Sequence, residues 1–426
     1  MYRLVNFKGF ADAQLHVPSP VTLLIGKNGS GKTNAIEGIE LLAEIAHGRP
    51  LYEISDVGRG GAFEVRGGLA GCVRTESETF SLSFEGDIEY EGGQQEEFRY
   101  ELQVRGRPEP RIASETLTLG KRTLFATVEG SSGQTAGVLK VRYDNFARGP
   151  NKPTVSLPAD RSVLSQYEMF AASDKLKDVQ EDVKLVRGYL RSSFVFDPDP
   201  KSMRQYDRIG NRTLARHGAN ISPVLHALAT GKPAQKASLA RILSSIKQLP
   251  EEPFAEFGFV TTDFGDVLFG VREREDGPLI DARLLSDGTL RCLAVLTALE
   301  TVKEGSRVVI EEFDNGLHPS RTGVLANAIW DASARRNLNV LCTTHNPATL
   351  DALTPEQLDG VVVAHWDKAQ QASRLIPLLE LPRADVLLER GNLGDLVTRR
   401  ILEQHLMPGF EEKQQEEAHA WLKSLP

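Results

Sequence analysis

The octapeptide Gly26-Lys27-Asn28-Gly29-Ser30-Gly31-Lys32-Thr33 matches G-x-x-x-x-G-K-[ST] at every fixed position, and it restricts the fold more than any other part of the chain. A loop of this kind needs a strand before it and a helix after it. Val21–Ile25 is a short apolar, β-branched run that predicts a buried strand, and Ala35–Ala46 carries Ile36, Ile39, Leu41, Leu42 and Ile45 at helical spacing. Backbone N–H groups of the turn and the positive end of the helix then converge on a phosphate. Gly29 and Gly31 allow conformations that a side chain would block. Lys32 is expected to reach the β- and γ-phosphates, and the Thr33 hydroxyl to ligate Mg²⁺. Asn28, Ser30 and Asn34 complete the expected nucleotide-binding set. The implied ligand is a nucleoside triphosphate.

A chain of 426 residues has room for two domains, or for one head with a large insertion. Its hydrophobic content of 40% and charged content of 25% suit a globular protein. No apolar run approaches the ~18 residues of a membrane span, and Met1–Phe7 lacks the segments of a signal peptide. A cytoplasmic chain without membrane contact is expected. Cys72, Cys292 and Cys342 lie far apart with no metal-ligand spacing. A net charge of −8 argues against a surface coated in nucleic acid, while leaving room for a local basic face.

Tyr2–Phe7 and Ala13–Val17 read as strands joined at Lys8-Gly9-Phe10. Residues 57–71 are rich in glycine, and from there to Tyr143 the period changes to two. Thr79–Phe84 and Phe98–Val104 alternate cleanly, followed by Leu117–Leu119, Leu124–Val128 and Val138–Tyr143. These predict an antiparallel sheet with one wet face. Residues 146–160 read as a loop. Helical spacing returns from Ser162 to Arg191, with Met169, Leu176, Val179, Val183, Val186 and Leu190 inside. Ile221–Leu228 and Ala237–Leu249 also read as helices, and Phe257–Val260 with Val267–Val271 as a hairpin. The order of the polar tail at Glu411–Glu417 is left open.

Further on, Ser286-Asp287-Gly288-Thr289 opens a helix with apolar residues at Leu293, Leu296 and Leu299. Val308-Val309-Ile310 is an apolar strand ending in Glu311 and Glu312, and Asn339–Thr344 is another, ending at His345. Each feature alone is common; their order behind a complete phosphate loop is not. Here the chain resembles the ABC-type ATPase heads of the SMC/RecF/OLD group, and within it the bacterial ATPases with a Ser-Asp-Gly-Thr signature and an Ile-Glu-Glu strand. The resemblance covers Tyr2–Ile45 and Leu279–Ala352, and more weakly Leu214–Ile221 and Gly391–Leu396.

The resemblance implies an α/β fold: an ABC-type phosphate-loop ATPase head with an inserted antiparallel β lobe and a helical lobe. The expected division is 1–60 and 255–400 for the head, 61–150 for the β lobe, 151–254 for the helical lobe and 401–426 for the tail. It implies that Ser286, Asp287 and Gly288 touch the γ-phosphate of ATP held by a second copy, making a homodimer around two nucleotides. It implies that Glu311 lies on the Mg²⁺ side, that Glu312 polarises the attacking water, and that His345 senses the γ-phosphate. Asp314 falls near the loop that links two such sites. Gln166 is a candidate for the glutamine that couples metal to lobes, although an exposed helical position is the plainer reading. Lys184–Arg216 holds eight basic residues against three acids, a solvated surface or a contact for double-stranded DNA.

No Asp-x-Asp pair follows His345, so any nuclease activity is expected from a separate effector, a Toprim or other nuclease. Relatives of this kind imply a role in anti-phage defence. Two other readings stay open: a RecF-like clamp in which ATP gates DNA binding, and a slow-turnover scaffold that restrains a toxic partner.

Overall fold

The computed structural model describes residues 1–17, 20–55, 65–90, 93–128, 137–145, 152–171, 176–250, 253–407 and 410. The chain forms two compact units. The first comprises Met1–Val17, Asn28–Ser193 and Trp366–Leu375; the second comprises Pro18–Lys27, Phe194–His365 and Ile376–Pro426. Most of the glycine-rich stretch 57–71 and the tail at Glu411–Glu417 lie outside the described residues.

An eight-stranded antiparallel sheet dominates the first unit. Its spatial order is Phe10–Leu15, Tyr2–Phe7, Thr79–Glu89, Gln95–Arg105, Arg111–Leu119, Arg122–Thr127, Val138–Tyr143 and Thr154–Pro158. The predicted alternation is what makes it: Phe80, Leu82 and Phe84 lie opposite Val104, Leu102 and Tyr100 on the buried face. Two strands come from before the phosphate loop, with Leu4 opposite Leu82. The last strand falls inside the stretch read as a loop, because its five residues pair only with a distant partner, Val138–Tyr143.

The phosphate-loop helix, Lys32–His47, packs on this sheet. Gly38 allows the approach, since a Cβ there would lie 2.5 Å from Leu4 Cδ2. The single helical run expected from Ser162 is two helices, Val163–Phe170 and Lys177–Arg191. Met169, expected inside, is 73% exposed, because the first helix buries its Val163–Leu164–Tyr167 face instead. Leu176, Val179, Val183, Val186 and Leu190 are buried as predicted.

These two helices close the carboxyl end of the phosphate-loop helix. Ser162 Oγ donates to the Ile45 carbonyl at 3.0 Å, and Arg187 Nε and Nη2 donate to the Ala46 and His47 carbonyls, each at 3.2 Å. Arg191 Nε donates to His47 Nδ1 at 3.0 Å. Burial, and then the charges of Arg191, Arg49 and Arg187, push His47 down to about 4, so it is a neutral acceptor at pH 7. A cation at a helix carboxyl end contributes roughly 0.3–1 kcal/mol.

A buried carboxylate starts the Val163–Phe170 helix. Glu115 accepts from Val163 N (2.7 Å), Leu164 N (2.8 Å) and the Tyr100 hydroxyl (3.0 Å). Desolvation pushes its carboxyl up to about 7 against the pull of these donors.

The second unit contains the centre of a sheet in the order Arg307–Ile310, Asn339–Thr344 and Val21–Ile25, with Val361–Val363 on the far side of the last. Its centre is parallel: Ile310 lies beside Cys342, Thr344 beside Ile25, and Ile25 beside Val363. Arg307–Ile310 and Val21–Ile25 are buried along their whole length, the pattern of strands covered on both faces. Helices Asp287–Thr301 and Pro319–Arg335 belong to the same core. The expected helices, now Ile221–Thr230 and Pro233–Lys247, and the expected hairpin, Glu256–Thr261 with Asp266–Arg272, also lie in this unit. No helix among the described residues is long and apolar enough to cross a membrane.

Candidate nucleotide site

The phosphate loop is built for an anion from within. Gly29 and Gly31 hold φ of +80° and +111°. A Cβ on Gly31 would also stand 2.8 Å from Ser373 Oγ and 3.1 Å from Phe10, so both conformation and space demand glycine there. The helix begins without a side-chain cap and without an acid in its first turn. Ser30 Oγ is buried and meets no hydrogen-bond partner among the described residues. A helix amino end left uncapped beside an unsatisfied hydroxyl fits a phosphate. Lys32 is buried, Thr33 and Asn34 are half-buried, and Asn28 and Gly29 are exposed.

In the second unit, three parallel strands end side by side, so Gly26, the Glu311-Glu312 pair and His345 leave one edge of the sheet. Glu312 takes a left-handed φ of +43°, uncommon for a residue with a side chain. Its amide donates to Thr343 Oγ1 at 2.8 Å, and its Oε2 accepts from Asn315 Nδ2 at 3.2 Å. Its Oε1 stands 3.6 Å from His345 Nδ1, and both side chains are partly open to solvent. Strain of this kind collects at functional sites.

Asp314, expected near the loop that links two such sites, is buried in the turn after the acidic pair. It is 2% exposed and accepts from the hydroxyls of Thr344 (2.6 Å) and Thr349. Desolvation raises its carboxyl above the usual range. Thr344 Oγ1 in turn accepts from Asn346 N at 3.0 Å, so Asp314 ties the turn after Glu312 to the strand end that carries His345.

Ser286 N-caps the signature helix: its Oγ accepts from Thr289 N at 3.1 Å and lies 2.7 Å from Thr289 Oγ1. Asp287 is held by Arg204 at 2.6 Å, and the same guanidinium donates to the Leu285 carbonyl at 2.8 Å. A Cβ on Gly288 would lie 3.1 Å from Leu317, so the signature turn packs on the loop that follows the acidic pair.

Gln166 is buried rather than exposed. Its Nε2 donates to the carbonyls of Pro158, Arg161 and Ser162, which occupies it within the turn before its helix. Several of the eight basic residues are also engaged internally. Arg187 and Arg191 act at His47 as described, Arg204 pairs with Asp287, and Arg208 pairs with Asp266.

The weaker stretches hold structure in place. Asn220 accepts from Ala215 N and donates to the Asn211 and Thr213 carbonyls, fixing the loop before its helix. Gly394 N donates to Asp351 Oδ1 at 2.8 Å, and a Cβ at Gly394 would stand 2.2 Å from the Pro347 carbonyl. The sequence alone does not mark Thr343, Thr344 or Asn220. Only the β-branched run before His345 pointed toward the first two.

A family model described as "AAA domain, putative AbiEii toxin, Type IV TA system" matches residues 21–351. The chain belongs to this family, a group of ABC-type, SMC/RecF-like ATPases. It is 38% identical over 58 residues to the DNA replication and repair protein RecF of Gloeobacter violaceus, which is 14% of this chain and 16% of that protein. Among solved structures it is similar to an SMC head bound to the C-winged helix domain of ScpA, with TM-score 0.48, 10% identity, and coverage of 88% of this chain and 95% of that one. The SMC head domain from Thermotoga maritima aligns with TM-score 0.43 and 13% identity, covering 88% and 97%.

Proposed function

We propose that the chain binds and hydrolyses ATP, and that two copies close around the nucleotide to signal its state to a partner. The observation that carries this reading is the single sheet edge where Gly26, Glu311-Glu312 and His345 emerge together. Ligands of open α/β sheets bind at the carboxyl ends of the strands. In this reading Asn28–Asn34 cradle the phosphates, and the Lys32 ammonium neutralises the β- and γ-oxygens. Thr33 and Glu311 would hold Mg²⁺, which supplies further neutralisation of the transferred group. Glu312 orients or deprotonates the attacking water, and His345 donates to the γ-phosphate. Ser286, Asp287 and Gly288 serve the nucleotide of the second copy. The head would be built from 1–60 and 255–400, with 61–150 and 151–254 as lobes and 401–426 as a tail. The partner in this reading is a nuclease-like effector, and the setting is anti-phage defence in the cytoplasm.

The stretch shared with RecF supports a second reading, in which ATP gates binding to double-stranded DNA. That reading requires an affinity for DNA that depends on ATP and falls steeply with salt.

Lys32→Ala tests the common core of both. Losing a charge-assisted contact costs roughly 1.5–3 kcal/mol, so ATP affinity by calorimetry and phosphate release should fall together. Unchanged values for both would remove the phosphate loop from the function.

A further inference from the structure

The first unit contains an open cleft of about 660 Å³, a size suited to a small-molecule site, lined in part by Asn6, Lys8, Gly9, Arg74, Trp366 and Gln371. We propose that this cleft receives the base of the nucleotide whose phosphates the loop holds, with Trp366 as the stacking residue that selects it. The inference rests on the nucleotide reading above and adds the determinant of base recognition.

Three observations support it. The first is shared structure with the phosphate loop. Ser373 N donates to the Gly9 carbonyl at 2.8 Å, and Ser373 Oγ stands 2.9 Å from a Cβ position on Gly9 and 2.8 Å from one on Gly31. The cleft rim and the loop therefore press on one side chain. A base lies one ribose beyond its phosphates, and Gly9, which lines this cleft, meets the same Ser373 side chain as Gly31 of the loop.

The second is backbone strain. Asn6, Lys8 and Gln371 line the cleft with φ of +52°, +48° and +48°. Only eight described residues other than glycine have positive φ, and Glu312 is another of them. Such conformations persist where surrounding contacts enforce them. Arg74 does so here, donating to the Gly9 carbonyl at 3.1 Å and the Gln371 carbonyl at 2.7 Å, so one guanidinium spans two sides of the cleft.

The third is the indole. Trp366 is 38% exposed and packs on no other ring among the described residues. It sits near the end of the strand Val361–Asp367. A large aromatic face left open beside polar backbone is the equipment for stacking a base. Lys8 does not compete for this role, because its ammonium is paired with Glu37.

The test compares Mg-ATP with inorganic tripolyphosphate by calorimetry on the full chain. The intact chain should bind ATP about tenfold or more tighter than tripolyphosphate, the scale of one base–aromatic stack. Trp366→Ala should bring the two affinities together by weakening ATP alone, and Trp366→Phe should retain most of the difference. Equal affinities in the intact chain, which needs no variant, would overturn the proposal. So would a Trp366→Ala chain that keeps the full difference. The nucleotide reading fails separately, if Lys32→Ala leaves the affinities for both ligands unchanged.

Discussion

Replacing Glu312 with glutamine separates hydrolysis from everything else the residue does. The carboxylate accepts one hydrogen bond, from Asn315 Nδ2 at 3.2 Å, and its side chain is 42% exposed. Glutamine has the same shape, and its carbonyl can accept from Asn315 in the same way. The left-handed φ of +43° and the 2.8 Å bond from the amide to Thr343 Oγ1 belong to the backbone and survive the change. Stability should therefore move by no more than about 0.5 kcal/mol. What disappears is the one anionic acceptor for a proton of the attacking water. A positioned group of this kind contributes about 10²–10⁴ in rate. Turnover should thus fall at least about a hundredfold, close to 2.7 kcal/mol in the barrier, with ATP affinity held within about threefold. Phosphate release in single turnover, calorimetric titration and a thermal melt measure the three quantities. Turnover at the wild-type rate would show that Glu312 is not the catalytic carboxylate, and a large drop in stability would show that the rate loss is structural.

Ser286→Arg puts bulk and charge at a turn already packed near Leu317, and should spare ATP binding while abolishing ATP-dependent dimers. Light scattering of Glu312→Gln with and without Ser286→Arg checks this, and a dimer indifferent to both ATP and Ser286→Arg counts against the sandwich. Glu115 predicts a pH dependence. Its folded carboxyl at about 7 lies above the ordinary 4.5, so the folded state keeps a proton that the unfolded chain loses. Its contribution is fully present below about 4.5 and is lost as pH rises to about 7, roughly 3 kcal/mol in all. The stability difference between wild type and Glu115→Gln, from urea unfolding, should change by that amount over this window; a constant difference refutes it. Gly394→Ala places a methyl 2.2 Å from the Pro347 carbonyl and 2.6 Å from Asp351 Oδ1. Forcing the helix Leu393–Thr398 away from the helix Pro347–Asp351 should cost about 1–3 kcal/mol, and an unchanged melting temperature would show that they part freely.

The legible parts of the candidate site were those written in contiguous residues. The phosphate loop needs two left-handed glycines between a buried strand and a helix, and Val21–Ala46 supplies all of these locally. The acidic pair and His345 were found because each ends an apolar run, and the parallel register sets those ends side by side. Residues acting through partners far along the chain escaped. The burial of Asp314 is not legible because nothing near it in sequence reveals Thr349 as its donor. Gln166 read as a surface residue because its helix begins in a turn whose carbonyls it satisfies.

The same division runs through the fold. Period and composition determined the β-rich insertion, the helices around it and the glycine turn between Val21–Ile25 and its helix, because propensity and turn chemistry act over a few residues. Only tertiary structure decided that Tyr2–Leu15 joins the inserted sheet, that Thr154–Pro158 is a strand, and that Met169 faces outward. Strand pairing and burial depend on surfaces contributed by residues distant in sequence. The same holds for Glu115, whose neighbours on its own strand show no helix for it to cap. Val163 and Leu164, 48 and 49 residues further on, make its burial possible.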